Sequence, residues 1–221
     1  IRMDINAIVQ TVSIWAIPVL FAITLHEVAH GWVARMLGDP TAFMMGRLTL
    51  NPLKHIDPIG TVLVPLVLLV LGGFVFGWAR PVPVNFRNLH SPRKDMAIVA
   101  VAGPAANLVM LLFWALFMKL GIVMYEISPW FAVPMTLMGQ AGIMINLILM
   151  LLNLLPIPPL DGGRVLTGLV PARVSTYLDA IEPYGFFILL ALLATGILGI
   201  ILRPPMSFVY GLVGSLFGLP I

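Results

Sequence analysis

Two histidines four residues apart, with a glutamate directly after the first, make up the run His26-Glu27-Val28-Ala29-His30. On a helix this spacing stacks both imidazoles on one face, one turn apart, where they can share a metal ion. Glu27 lies one step round the helix and can take a proton from a water held there. Multiplying residue frequencies over all starting positions, chance would produce the pattern about one time in a thousand in such a chain. The competing reading is a pair of hydrogen-bonded histidines beside a neutral, buried glutamic acid. An ionisable side chain at the centre of an apolar membrane helix costs about 3 kcal/mol on insertion scales. Polar groups on adjoining turns therefore need compensation, and a divalent cation supplies it.

Two histidines leave a catalytic zinc shell one protein ligand short. The chain has no cysteine, which removes thiolate ligands, cysteine nucleophiles and disulfides together. His55, Asp57 and His90 stand in loops with ordinary polar neighbours and read as solvated. Asp161 follows a proline-broken apolar segment and precedes Gly162-Gly163, where missing side chains let backbone approach a site closely. It is the preferred third ligand, completing a shell of His26, His30 and Asp161 around one Zn2+ per chain.

The elements that must position these residues are set by composition. Of 221 residues only 12 are Lys or Arg and 9 are Asp or Glu, while 60% are hydrophobic and the mean hydropathy is +1.05. A soluble domain of this length carries about 25% charge, against 10% here. The apolar residues come in long runs, so the chain is expected to be an all-α polytopic membrane protein, a helical bundle forming one transmembrane catalytic domain over residues 1–221. Clean spans are expected at 96–120, 134–155 and 184–202. The first apolar run, from residue 7, is too long for a removable signal and reads as a helix continuing through Glu27 to residue 34. Residues 206–219 are short and glycine-rich and fit an interfacial or partial span. Pro65 and Gly72-Gly73 weaken the run at 60–78, so a full crossing and a re-entrant segment are both open. A short membrane-associated β element is expected at Arg47-Leu48-Thr49-Leu50 from its period-two alternation, and Arg80-Pro81-Val82-Pro83-Val84-Asn85-Phe86 looks extended. The dozen scattered cations make no basic patch, which excludes nucleic acid as a partner.

The pair His26-Glu27-x-x-His30 in a membrane helix, together with Asn153-x-x-Pro156-x-x-x-Leu160-Asp161-Gly162, resembles the site-2 protease family of intramembrane zinc metalloproteases. Gly103-Pro104-x-x-Asn107 and the stretch from Arg80 to Asn85 agree with it. The resemblance runs from about residue 25 to 164. It implies His26, His30 and Asp161 as zinc ligands, Glu27 as catalytic base, and single-span membrane proteins as substrates cleaved within or near their transmembrane segments. It departs from larger members in having no room for a PDZ or CBS domain, so a regulatory partner cannot be read from it. A metal transporter or sensor using the same histidines is the rival, but such a protein is expected to show a polar path and often an inverted repeat. Neither is visible.

A shared metal also constrains topology. The helix carrying His26 and the helix before Asp161 must end at the same depth, with the 96–120 helix antiparallel between them. The 60–78 run must then dip and return, which resolves it as re-entrant. Arg35, Arg47, Lys54, Arg80, Arg87, Arg93 and Lys94 would face one compartment, as the positive-inside rule favours for the cytoplasm, giving a multi-pass cell-membrane protein with its site toward the cytoplasmic side. A helical substrate shields its own peptide bonds and must unwind locally before attack. The edge formed by Pro81, Val82, Pro83, Val84 and Asn85 could pair with the unwound strand, although a plain linker also explains the prolines. Asn107 fits either a hydrogen bond to substrate backbone or oxyanion or an interhelical bond. Asn153 fits either the steadying of the Asp161 loop or substrate contact, and Asn146 reads as helix packing.

Overall fold

Long uncharged runs leave the backbone no hydrogen-bonding partner in lipid except itself, and helices result. In a computed structural model, which describes residues 5–64, 67, 77 and 79–221, eight α-helices follow one another. They are α1 (Ile5–Met36), the single-turn α2 (Thr41–Met44), α3 (Pro92–Val123), α4 (Pro129–Asn153), α5 (Asp161–Leu169), α6 (Ala172–Ile181), α7 (Gly185–Ala194) and α8 (Ile197–Phe217). Among the described residues, five stretches are long and apolar enough to cross a membrane: Val9–Met36, Pro92–Glu126, Pro129–Asn153, Ala172–Ala194 and Ile197–Phe217. The protein is a multi-pass membrane protein.

Local chemistry sets the helix ends. α3 begins with Pro92 in its first turn, where a missing N–H is harmless, and the Asp95 carboxylate reaches back to accept the Ser91 N–H at 2.7 Å. α4 likewise starts on Pro129. α8 runs between two left-handed glycines, Gly196 and Gly218, at φ 74° and 58°. Gly196 divides the span expected at 184–202 between α7 and α8, and residues 206–217 continue α8 as part of a full-length helix. A positive φ ends a helix, and glycine adopts it without steric cost.

The core lies between α3 and α4, where Leu111, Trp114, Ala115, Met118, Ile143 and Leu147 pack with Val213 of α8. A Cβ at Gly142 would collide with the Trp114 ring, and one at Gly139 would stand 2.5 Å from the Met118 Cβ. Small residues at such contacts let membrane helices approach closely. The pairings Met118 with Gly139 and Trp114 with Gly142 run in opposite directions along the two chains, so α3 and α4 are antiparallel. His26 beside Asn107 and His30 beside Val99 make α1 antiparallel to α3 as well, as the shared-metal argument requires.

The expected β element is absent: no strand occurs among the described residues. Residues 80–85 form a strap whose polar groups are taken up otherwise. Pro81 and Pro83 have no N–H, Val82 and Asn85 donate theirs to the carboxylates of Glu27 and Asp39, and Arg80 donates to the His55 carbonyl. Arg47 does not pair in a strand either. Its guanidinium donates to the carbonyls of Arg80 and Pro81 at 2.9 and 3.3 Å, while the Thr49 carbonyl faces the His55 ring at 2.9 Å. The re-entrant course expected for 60–78 lies largely outside the described residues, of which Pro58–Leu63 forms a π-helical turn.

Candidate metal centre

Three side-chain atoms meet where α1 passes the start of α5. His26 Nε2 and His30 Nε2 are 3.1 Å apart, and Asp161 Oδ2 lies 3.2 Å from the first and 3.3 Å from the second. Ligands at 2.0–2.1 Å on the corners of a tetrahedron stand about 3.3 Å from one another. The spacing is therefore that of three zinc ligands with a fourth corner left over.

Protonation strengthens the fit. His30 Nδ1 faces the backbone carbonyl of Val99 at 2.7 Å, a group that only accepts, so this nitrogen carries the proton. His26 Nδ1 faces Asn107 Oδ1 at 2.6 Å and donates for the same reason. In the neutral rings both Nε2 atoms then present bare lone pairs, and beside them Asp161 Oδ2 is buried with no hydrogen-bond partner among the described residues. Three acceptors converging without a proton between them repel one another unless a cation is shared. Gly103 makes the space: a Cβ there would overlap His30 Nε2 and stand 2.6 Å from His26 Cε1. Beneath Asp161, Gly162 lies against the carbonyls of Leu154 and Leu155 and Gly163 against the backbone of Pro158, so the close approach these glycines allow is to the preceding turn rather than to the centre itself.

Glu27 faces the same cavity of about 350 Å3, with the strap opposite. Its Oε2 accepts the Val82 N–H at 2.7 Å. Pro81, Val82, Val84 and Asn153 also line this space. Asn153 donates its amide to the Leu149 carbonyl at 3.0 Å. Asn85 faces away, its backbone N–H on Asp39 and its side-chain oxygen accepting the Arg87 N–H. Pro83 does not line the cavity among the described residues.

Asn107 is fully buried behind His26, 0% exposed. Its amide nitrogen donates to the Ala22 carbonyl at 3.3 Å and to Asn146 Oδ1 at 2.9 Å. Both amide hydrogens are engaged, and none is left to offer an oxyanion. Of the two roles open in the sequence, this geometry is that of the interhelical bond.

Two polar residues matter more here than their sequence context announced. Asp39, 1% exposed, gathers the Asn85 N–H at 2.7 Å, the Asn88 amide at 2.8 Å, the Thr41 N–H at 3.1 Å and the Thr41 hydroxyl. The only local signal is its place after Gly38, whose φ of 108° turns the chain. Asn146 supports Asn107 from α4. A lone amide in an apolar helix signals a partner without naming it.

An all-helical membrane bundle built round two imidazoles, a carboxylate and a glutamate defines a class: a membrane-embedded metallohydrolase. Comparison with known proteins makes the class specific. Residues 122–195 match the model described as Peptidase family M50. The chain is 42% identical over 193 residues to "Putative zinc metalloprotease YwhC" of Bacillus subtilis, covering 86% of this chain and 84% of that one. It is 33% identical over 176 residues to "Putative zinc metalloprotease Rip2" of Mycolicibacterium smegmatis, covering 80% of this chain and 64% of the relative. No solved structure gives a significant match. The chain belongs to peptidase family M50, the site-2 protease family, and is a zinc metalloprotease.

Proposed function

We propose that the protein hydrolyses peptide bonds within or near the transmembrane segments of single-span membrane proteins, acting as one catalytic bundle in the cell membrane. The observation that carries this reading is the convergence of His26 Nε2, His30 Nε2 and Asp161 Oδ2 at 3.1–3.3 Å, beside Glu27 and inside a largely apolar bundle.

His26, His30 and Asp161 hold the zinc. When bound, zinc supplies a Lewis acid that makes water acidic near neutral pH and polarises a carbonyl. Glu27 accepts the proton of the attacking water as its oxygen bonds to the scissile carbonyl carbon. Glu27 then delivers that proton to the amide nitrogen as the C–N bond breaks, leaving a carboxylic acid and an amine, which ionise to carboxylate and ammonium. One Glu27 oxygen is held by the Val82 N–H, which aims the other at the reacting atoms. Asn107 acts from behind by orienting His26.

The strap offers an edge for substrate. Val84 lines the cavity, and its own N–H and C=O have no hydrogen-bond partner among the described residues. An unwound substrate segment adding along it gains backbone hydrogen bonds that do not depend on its side chains, and Asn153 lies within the same cavity to meet it. The basic residues Arg35, Arg47, Lys54, Arg80, Arg87, Arg93 and Lys94 support a site toward the cytoplasmic side.

The test is a panel of single-span peptides incubated with purified protein in lipid. Cleavage near or within the span, abolished by Glu27→Gln with zinc retained, is expected. Absence of cleavage by native, zinc-loaded protein across the panel would overturn the substrate reading.

A further inference from the structure

A run of hydrogen bonds leads from α4 to the metal centre, and its direction can be assigned atom by atom. The Gly142 carbonyl only accepts, so the Asn146 atom 2.8 Å from it is the amide nitrogen. Asn146 Oδ1 therefore faces α3, where it accepts from the Asn107 nitrogen at 2.9 Å. The Ala22 carbonyl, 3.3 Å from the same nitrogen, demands the same orientation. Asn107 Oδ1 is then turned toward His26 Nδ1 at 2.6 Å and requires a proton there. His26 is left with its Nε2 lone pair aimed at His30 and Asp161. Asn107 and Asn146 are both 0% exposed, so water does not compete for these bonds.

His30 reaches the same tautomer by another route, through the backbone carbonyl of Val99, which no substitution can rotate. His26 depends on an amide, and an amide can flip. Asn146 opposes the flip, because reversing Asn107 would set its oxygen against Asn146 Oδ1 and the Ala22 carbonyl and its nitrogen against the His26 N–H. The close α3–α4 approach at Gly142 and Trp114 keeps the two amides within reach.

We infer that Asn146 is a positioning residue for the metal centre, locking Asn107 in the one orientation that makes His26 a zinc ligand through Nε2. The inference rests on the assignment of His26, His30 and Asp161 as the ligands. Groups behind a metal-ligating histidine commonly contribute 10–100-fold to metal affinity, and Asn146 acts on the zinc at second hand, through Asn107.

The experiment measures zinc affinity by chelator competition in the purified full-length protein. Asn146→Leu, nearly the same shape without the polar atoms, is expected to bind zinc about 10–100-fold more weakly. Asn107→Leu is expected to do the same, and the double variant to bind no more weakly than Asn107→Leu alone, since both act through one bond. A folded Asn146→Leu protein with native zinc affinity, or losses that add in the double variant, would overturn the inference. Should Asn146→Leu not fold, nitrogen NMR of histidine-labelled native protein decides. A His26 ring protonated at Nδ1 and bound through Nε2 supports the relay, and the reverse overturns it. Asp161→Asn separates the two levels. Zinc affinity lost in that variant but native in Asn146→Leu defeats the relay alone, and zinc affinity unchanged by Asp161→Asn defeats the ligand assignment and the relay together.

Discussion

Glu27 and Val82 are 55 positions apart in sequence and joined by a single hydrogen bond, from the Val82 N–H to Glu27 Oε2 at 2.7 Å. The proposed general base and the strap that faces the cavity are thus held as one unit. Val82→Pro removes this N–H. Hydrogen bonds to charged groups contribute about 1.5–3 kcal/mol, so kcat should fall about 10- to 100-fold with zinc content unchanged. Val82→Ala, which keeps the N–H, should retain most of kcat. Steady-state kinetics on a cleaved peptide, with metal analysis beside it, reads the difference.

Glu27→Gln keeps the shape of the side chain and removes its ability to take a proton. General acid–base catalysis contributes about 10²- to 10⁴-fold, and cleavage should fall by at least that much. Metal analysis should still find close to one zinc per chain, because Glu27 is outside the proposed ligand set of His26, His30 and Asp161. Loss of zinc together with activity would place Glu27 in the shell.

Gly103→Ala puts a methyl group into the imidazole pair. Overpacking of this kind costs about 1–3 kcal/mol, and here the neighbours that must move are the two proposed ligands His26 and His30. Zinc affinity should drop more than thermal stability does. Chelator competition and a melting curve on the same preparation separate the two effects.

Asp39 predicts an acid limb in stability. Burial alone would raise its pKa, yet the hydrogen bonds from Thr41, Asn88 and Asn85 hold it below the usual 3.8. A carboxylate depressed in the folded state contributes stability that is complete above its unfolded pKa and is lost as pH falls through the folded one. The loss should therefore come below about pH 4, and Asp39→Asn should flatten that limb of a melting-temperature profile. At neutral pH Asp39→Ala should destabilise by about 1–3 kcal/mol, since it strands the Asn85 N–H and the Asn88 amide.

Much of the centre is legible in the primary structure because its parts follow local rules. The spacing of His26 and His30 is a helical period, whereas the close approach at Gly162-Gly163 is made by the backbone of residues 154–158 and not by the site. The antiparallel course of α3 follows from requiring Asp161 to meet the histidines. The alternation at Arg47-Leu48-Thr49-Leu50 misled for a physical reason: a period of two does not name the partner, and here the Arg47 guanidinium takes the carbonyls of Arg80 and Pro81 while the Thr49 carbonyl meets the His55 ring, so no strand ladder forms there. The part played by Asn146 could not be read because it depends on which amide faces it across two helices. The break at Gly196 could not be foreseen either, since its apolar flanks suit one helix as well as two.

The strap is pinned at two points three residues apart, Val82 on Glu27 and Asn85 on Asp39, and both pins belong to α1 or the turn that follows it. α1 and the turn after it therefore fix both ends of the strap. If a peptide lies along the strap as proposed, its register beside Glu27 is set by the Val82 end, so one residue inserted between His30 and Asp39 should loosen the Asn85 end while leaving the Val82 end and the proposed ligands in place.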